Sequence, residues 1–420
     1  MKARQVRMTS AGGDNGGIMQ RALSILGLGV LVVLLSVSGR SAEVVRPDAT
    51  ADPLPQPGAT DAAIPAYGCF ARRSERFRAL LTKRHGGSPA TEAAVDKALR
   101  WLATHQEADG HWDSRKFGAT NKHDTACTGL ALLAFLGAGH TEKVGEFKSN
   151  VQRGVAWLKG KQNADGLIWD GSDEQAASRA MGYSCAIATQ ALAEATGMAS
   201  VPDTKAAAQK AVDYCTEKYE SSEGGKRGGW GYEPKMTGDT PNTGWFLSAL
   251  VSARRAGLRV NAAALDGAIS LLDSVEKKEG GVPRYYAKPD TPDDSSAHRL
   301  TAIGNLCRYN LGWETDGLRP SVEWVVNKGG VPDWGANGDK VDACYWYFGT
   351  QSVFPHGRDL WRRWNGAMTN VLVSNQGKAG DDQGSWPPAG VDAAEWGRVG
   401  QTALLCMCLE VYYRFALLNQ

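Results

Sequence analysis

The sequence predicts an all-α fold, an (α/α)6 toroid in which six helix pairs form two concentric layers. Six times along the chain an amphipathic helical segment gives way to a Gly-rich turn bearing an aromatic residue, and then to a second helix of mostly small and apolar residues. The first members of these pairs carry charge on one face, as at Asp96, Lys97 and Arg100, whereas the second members are nearly free of charge inside their span. A helix with one apolar stripe lies at a surface and one that is apolar all round is buried. Charged helices therefore form an outer layer and smooth ones an inner layer. A tandem period of this size marks an array of helix pairs.

The clearest copies are Ala98–Trp112 (ALRWLATHQEADGHW) and Val155–Trp169 (VAWLKGKQNADGLIW), in which the Gln, the Asp-Gly and a terminal Trp recur, and Trp101 and Trp157 set a period of 56 residues. Weaker copies carry the turns GGWGY at Gly228–Tyr232, GGVPRYY at Gly280–Tyr286, PDWG at Pro332–Gly335 and GSWPP at Gly384–Pro388. Outer helices are expected near Glu92–Gln106, Asn150–Gln162, Thr204–Tyr219, Asn261–Glu276, Leu318–Asn327 and Asp359–Gln376. Inner helices are expected near Asp124–Gly137, Tyr183–Thr196, Asn242–Ala256, Ser296–Leu311, Asp342–Phe354 and Arg398–Phe415.

Ahead of the repeats, Lys2, Arg4, Arg7 and Arg21 precede an apolar run over residues 22–39. A basic start followed by an apolar stretch reads as an export signal; Gly27, Gly29 and the serines weaken it as a membrane anchor. Residues 1–42 are thus assigned to export or anchoring, 43–90 to a linker and lead-in rich in Pro and Ala, and 91–420 to the toroid. The expected location is extracytoplasmic, secreted or periplasmic, with membrane association through residues 22–39 if that segment is retained. A net charge of +2 gives no electrostatic footprint for nucleic acid. Cys127, Cys185, Cys344 and Cys406 fall at the starts of inner helices, where a small apolar residue is wanted, and read as buried thiols. Cys406 and Cys408 are two apart on a helix and face different directions, which argues against a metal pair.

In a closed ring the inner helices point their first residues at one mouth. His123, Asp124, Tyr183, Asn242, Trp245, His298, Arg299, Asp342, Tyr345, Arg398 and Gln401 all stand there, although the same residue types serve as N-caps and helix-start polarity. The stretch Tyr345-Trp346-Tyr347-Phe348, with Trp245, Trp361 and Trp364, offers aromatic walls for an apolar or sugar ligand, and part of it serves the core.

The QxxDGxW-like turns, the six helix pairs and the segment DTACTGLALLAFLGAGH at Asp124–His140 resemble the terpenoid cyclase and protein prenyltransferase superfamily, and within it the exported prenyltransferase/squalene-oxidase-repeat proteins of bacteria. The resemblance implies a toroid over about residues 92–417, with Gln106, Trp112, Gln162, Trp169 and Trp386 tying each pair to the next. It also implies where family chemistry would sit. A prenyltransferase β-subunit binds zinc through an Asp-x-Cys pair and a His; here Asp342 and Cys344 match, but Gln401 stands where the third ligand belongs, so neither a metal nor another cofactor is expected. A squalene-hopene cyclase protonates an alkene with the middle Asp of D-x-D-D-T-A. Here the segment is Asn121–Ala126 (NKHDTA), which keeps Asp124 but places His123, too weak an acid as imidazolium, at the donor position. Pro292–Ala297 (PDDSSA) keeps the middle Asp and loses the last.

Other members of the fold fit less well. The one Gly-Cys, at Gly68-Cys69, lies outside the ring and lacks a thioester segment. Acids in the mouth loops, Asp170, Asp173, Glu174, Asp293, Asp294 and Asp333, admit glycoside chemistry without singling out a pair. Asp333, Asn337, Asp339 and Asp342 lack the alternation of a calcium loop. The resulting expectation is a toroid with degenerate reaction centres that binds an apolar, isoprenoid-like ligand or a glycan, or acts as a scaffold for a protein partner. Its cavity would be lined by Trp245, His298, Arg299, Tyr345, Trp346 and Arg398, with His123 and Asp124 the candidates for any catalysis. The alternatives are an isoprenoid-processing enzyme with non-standard residues and a glycan-acting enzyme.

Overall fold

The computed structural model describes residues 69–171, 177–222, 227–289 and 296–415. The apolar run at 22–39, most of the Pro-rich linker, and Asp173, Glu174, Asp293 and Asp294 lie outside the described residues. Two helices precede the first Gly-rich turn, α1 (Glu75–His85) and α2 (Pro89–Thr104). The inner helices are α3 (Asp124–Gly137), α5 (Ala177–Ala199), α7 (Thr240–Arg255), α9 (Ala297–Asn310), α11 (Ala343–Val353) and α13 (Ala393–Leu409). Outer helices α2, α4 (Lys148–Gly160), α6 (Pro202–Asp213), α8 (Ala262–Val275), α10 (Thr315–Trp324) and α12 (Arg358–Asn375) alternate with them, and a short α14 (Val411–Arg414) follows. Each inner helix packs on the next, and α13 packs back on α3, so the inner ring closes. This is the (α/α)6 toroid that the repeats predict.

Local chemistry explains why these segments fold as they do. Every residue of α3 is buried, which is what an inner helix requires, and Gly129 lets it approach α5 closely: a Cβ there would meet Ile187 Cγ2 at 2.8 Å. Helix α2 starts at Pro89 behind a capping box, with Ser88 Oγ accepting from Thr91 N at 3.2 Å and Thr91 Oγ1 accepting from Ser88 N at 2.9 Å. Outer helices α6 and α10 run on into π-helical turns, Tyr214–Tyr219 and Val325–Gly329, which account for the longer spans the pattern suggests.

The repeat turn shows how one pair holds the next. Gln106 Nε2 donates to Gly110 O within its own turn at 2.8 Å and to Asn150 O of the next outer helix at 3.0 Å. Gln162 does the same with Gly166 O and Ala207 O. Gln376 repeats it with Gly384 O and, at 2.7 Å, with Ala94 O of α2, which links the last pair to the first. Trp112 and Trp386 are fully buried, each donating its indole N–H to the preceding outer helix, at Leu102 O and Leu372 O. Their backbone N–H groups donate to Thr128 and Thr402 on the following inner helices.

The second turn departs from expectation. Ile168, not Trp169, is fully buried, and Trp169 is only half-buried. Aligning Gln106 with Gln162 and Gly110 with Gly166 puts Trp112 opposite Ile168, so Trp169 stands one residue beyond the anchoring position. The fourth turn also differs. Glu276–Glu279 (β1) and Val282–Tyr285 (β2) form an antiparallel hairpin pairing Glu276 with Tyr285, because Gly280 and Gly281 supply the two positive φ angles, 58° and 83°, of a tight turn.

The ring end carrying the inner C-termini is sealed by buried charge. Arg414 Nη2 lies 3.1 Å from Glu194 on α5 and its Nη1 3.3 Å from Glu410, while Arg73, from the turn before α1, reaches Glu194 at 2.6 Å. Burial opposes ionisation of Glu194, but Arg414 and Arg73 prevail and lower its carboxyl to about 2.

Two outcomes follow for stability. Ile168→Ala should cost about 2–5 kcal/mol and Trp112→Ala about 3–5 kcal/mol in urea unfolding, with Trp169→Ala clearly below both; a larger loss at Trp169 than at Ile168 would put the anchor back at the Trp. Glu194→Gln should cost about 3–5 kcal/mol by leaving two buried guanidiniums unpaired. Because the folded carboxyl is held below its unfolded value, its contribution is present above the unfolded pKa and disappears as pH falls through about 2. The urea midpoint of the wild type should therefore fall more steeply than that of Glu194→Gln on acidification, and parallel curves would deny Glu194 this role.

Candidate functional site

At the opposite end, where inner helices begin, a cavity of about 290 Å3 opens, lined by His123, Tyr183, Tyr232, Trp245, Arg299, Leu300, Ile303, Cys344, Phe348, Asp392, Glu395 and Trp396 among others. Its walls are aromatic and aliphatic. Tyr183 meets Tyr232 edge-on with centroids 5.7 Å apart and Trp396 at 6.0 Å; Trp245 meets Phe348 at 4.9 Å and stacks on Tyr347 at 5.3 Å.

One side is polar and is organised by Arg299. Its Nη2 lies 2.8 Å from Asp342 Oδ2 and its Nη1 2.7 Å from Asp392 Oδ2. The backbone brings those two carboxylates together: Val391 N donates to Val341 O at 2.9 Å, and Asp342 and Val391 form an isolated parallel bridge. Asp342 also caps α11, accepting from Tyr345 N at 2.8 Å. Burial resists ionisation of both acids. At Asp342 the nearby His298 imidazole and the charge of Arg299 win and lower the carboxyl, whereas at Asp392 burial wins and raises it despite Arg299.

The sequence-predicted residues divide. Trp245, Arg299 and the catalytic candidate His123 line the cavity, and His123 Nε2 pairs with Glu395 Oε2 at 2.8 Å. Asp124 is turned away: its Oδ1 accepts from Ser114 N at 2.9 Å and Ser114 Oγ at 3.0 Å, which closes the turn before α3. His298 is absent from the lining, with Nε2 3.6 Å from Asp342 and its ring against Tyr345. Tyr345 spends its hydroxyl on Val325 O and Gly330 O, Trp346 packs by Trp334, and Arg398 bonds Ser385 and Asp382; these three support the frame and are absent from the cavity lining.

The zinc positions of the resemblance have other work. Gln401 donates to Pro387 O at 2.7 Å and accepts from Ala389 N at 3.3 Å, Asp342 is taken by Arg299 and the α11 cap, and burial pushes the Cys344 thiol well above its ordinary value. A zinc ligand must offer a free lone pair, whereas Gln401 is committed to the backbone and Asp342 to Arg299 and the α11 cap, so these residues do not fit the ion. Among the described residues no group of three His, Cys, Asp or Glu is placed to hold a metal.

Asp392, Glu395 and Trp396 were not expected in the mouth, because the pattern starts the last inner helix at Arg398. They belong to an additional first turn of α13, bent at Gly397, whose φ of 57° and ψ of −166° break the helical run. A Cβ at Gly397 would lie 2.8 Å from both Ala119 N and Phe117 O, so the loop before α3 can press against this bend only because the residue is Gly. Thr120 N donates to Ala394 O at 2.7 Å, holding the bent turn over the cavity. The sequence signal was Gly397 itself, within AAEWGRVG.

The squalene-hopene cyclase C-terminal domain family model matches residues 77–183. Among solved structures the chain is similar to a cellobiose 2-epimerase from Spirochaeta thermophila, at 13% identity over 80% of this chain and 96% of that one, with a TM-score of 0.52. It is similar to an inactive α-1,6-mannanase variant of Salegentibacter in complex with α-1,6-mannotriose, at 10% identity over 77% and 99%, with a TM-score of 0.51. It is also similar to a type II terpene cyclase, MstE, from Scytonema in complex with its substrate geranylgeranyl dihydroxybenzoate, at 13% identity over 77% and 97%, with a TM-score of 0.50. The fold is the (α/α)6 toroid that these three structures share. No curated protein matches in sequence. At these identities the structural likeness is one of fold, shared by the terpene cyclase and by glycan-acting proteins alike.

The toroid's mouth thus depends on one guanidinium. Arg299→Leu should destabilise by about 3–5 kcal/mol, because it leaves Asp342 and Asp392 side by side without a counter-charge. Adding Asp392→Asn should recover part of that loss in urea unfolding; strictly additive losses would show that the two acids do not share Arg299.

Proposed function

We propose that the protein is a ligand-binding toroid whose mouth takes a small molecule with one apolar face and a polar edge, a sugar ring of a glycan being the class that fits best. The observation that supports this reading is the division of the cavity: the aromatic rings of Tyr183, Tyr232, Trp245 and Trp396 on its walls, and Arg299, Asp392 and Glu395 on its polar side. Aromatic faces stack on the C–H faces of a sugar, while paired donors and acceptors address its hydroxyls. About 290 Å3 is at the lower end of ligand pockets, room for one ring and not for a long polyprenyl chain.

A second reading has its own support. The family-model match over residues 77–183 favours an isoprenoid ligand, and a short prenyl unit would be covered by the same aromatic walls. In that reading His123 would stand at the proton-donor position, but its Nε2 is engaged by Glu395. Export through residues 22–39 belongs to the proposal, and a protein found in the cytoplasm on cell fractionation would remove that part of it.

Tryptophan fluorescence and calorimetric titration of the purified chain with α-1,6-mannotriose, cellobiose and geranylgeraniol discriminate the readings. Saccharide binding in the micromolar to millimolar range, weakened at least about tenfold by Trp245→Ala, is expected. Binding of geranylgeraniol alone, or a polyisoprenoid found by lipid extraction and mass spectrometry of the purified protein, would overturn the sugar assignment in favour of the isoprenoid one. Saturation with neither, together with capture of a stoichiometric protein partner, would turn the toroid into a scaffold.

A further inference from the structure

Behind the wall of the mouth formed by Tyr183 and Tyr232 lies a pair of thiols that ligand binding does not use. Cys185 Sγ and Cys215 Sγ are 3.8 Å apart and both residues are fully buried. The one polar side chain in hydrogen-bond contact with the pair is Thr189, whose Oγ1 lies 3.5 Å from Cys215 Sγ. Among the described residues no other two thiols are in such contact. The two belong to different pairs of the ring. Cys185 is on the inner helix α5, two residues past Tyr183, and Cys215 is in the π-helical turn that ends the outer helix α6. That turn also carries the floor of the next repeat: Cys215 O accepts from Trp230 Nε1 at 2.8 Å, and Tyr219 Oη donates to Tyr232 O at 2.6 Å. The hydroxyls of Tyr183 and Tyr232 are themselves 3.4 Å apart.

Small apolar residues would fill this space equally well, as alanine does beside both positions at Ala186 and Ala211. What two facing thiols add is chemistry. A disulfide needs its sulfurs about 2.05 Å apart, and here they already face each other across van der Waals distance, on two elements that the fold holds in register. We propose that Cys185 and Cys215 form a redox pair that closes into a disulfide, pinning α5 to the end of α6 and fixing the Tyr183/Tyr232 wall of the mouth.

The oxidant is a disulfide-bearing co-reactant of the oxidised glutathione class. One cysteine, as thiolate with its proton released to solvent, attacks a sulfur of the oxidant; a mixed disulfide forms and the first glutathione leaves as thiolate. The second cysteine then attacks the protein sulfur of that mixed disulfide and expels the second glutathione. In sum two protein thiols and one glutathione disulfide become one protein disulfide and two glutathione thiols. Because both groups are buried, exchange proceeds during folding or through local opening of this part of the ring. The closed loop of about 30 residues removes entropy from the unfolded chain, so the bond stabilises the fold when its geometry is native.

The test uses the full chain, refolded or held in low urea with oxidised glutathione, then quenched in acid, alkylated in denaturant, digested and mapped by mass spectrometry. One cross-linked peptide joining Cys185 to Cys215, with the other six cysteines alkylated, is the expected result, accompanied by a rise in Tm of several degrees that dithiothreitol reverses and that Cys215→Ala lacks. Full alkylation of Cys185 and Cys215 after oxidation would overturn the proposal, as would cross-links scattered among the other cysteines. A bond that forms but lowers Tm would equally overturn it, since the pair would then not be built into the native geometry. Where Cys215→Ala does not fold, Cys185→Ala provides the same control, and the wild-type peptide map decides without either. None of these outcomes depends on which ligand the mouth takes.

Discussion

The ring depends on one repeated interaction, the turn glutamine whose amide N–H groups bind a carbonyl of its own turn and a carbonyl of the next outer helix. A helix pair cannot bury its inner face alone, so an array of pairs is stable only when neighbours cover one another. In an open solenoid the last pair would leave that face to solvent. Here Gln376 reaches Ala94 O of the first outer helix by the same bond that Gln106 and Gln162 make with theirs. Trp101 repeats the closure on a second contact, donating to Asp381 O in the last turn much as Trp157 donates to Asp109 in the first. A net hydrogen bond contributes only about 1 kcal/mol. Its value here is positional, because it ties neighbouring pairs at the first and second turns and at the junction where the last pair meets the first.

Closure divides the molecule into two unlike ends. All inner helices run in one sense, so their C-termini meet at one end and their N-termini at the other. At the first, Glu194, Arg414, Glu410 and Arg73 fill the axis with paired charge, and the lead-in before α1 supplies one of the four. At the second, the last inner helix bends at Gly397 to lay Glu395 and Trp396 over the opening.

Much of this was legible because the repeat is written in residue spacing. Inner and outer helices fall where the alternation of charged and smooth segments puts them, and Asp124–Gly137 agrees at both ends. Trp169 shows the limit of reading by composition: the eye follows the tryptophan, while the register counted from the Gln and the Gly puts Ile168 in the anchor. The mouth was legible as a location and less so as a set of residues. Trp245, Arg299 and His123 line it, but Asp124, Tyr345 and Gln401 point into turns and backbone instead, because a helix-start position fixes where a residue lies along the axis and not which way its side chain faces. Asp392 and Glu395 escaped because helical periodicity does not extend through Gly397, and only the folded chain shows that the residues before it are helical again.

The Asp342–Cys344 pair, which resembles a zinc motif in sequence, is held by other contacts in the fold. The Asp is held by the backbone as the cap of α11, a role any toroid helix start can require, and Arg299 adds an ion pair that competes with a metal for the same oxygens. With Gln401 bound to the loop at Pro387 and Ala389, the third position of the set has been turned to holding the turn before α13. Each residue has a structural role of its own, and around them a fixed guanidinium bridges two carboxylates. The mouth carries a positive centre in Arg299. Its polarity is therefore set by folding, and the aromatic walls around it decide which apolar face can be laid against that centre.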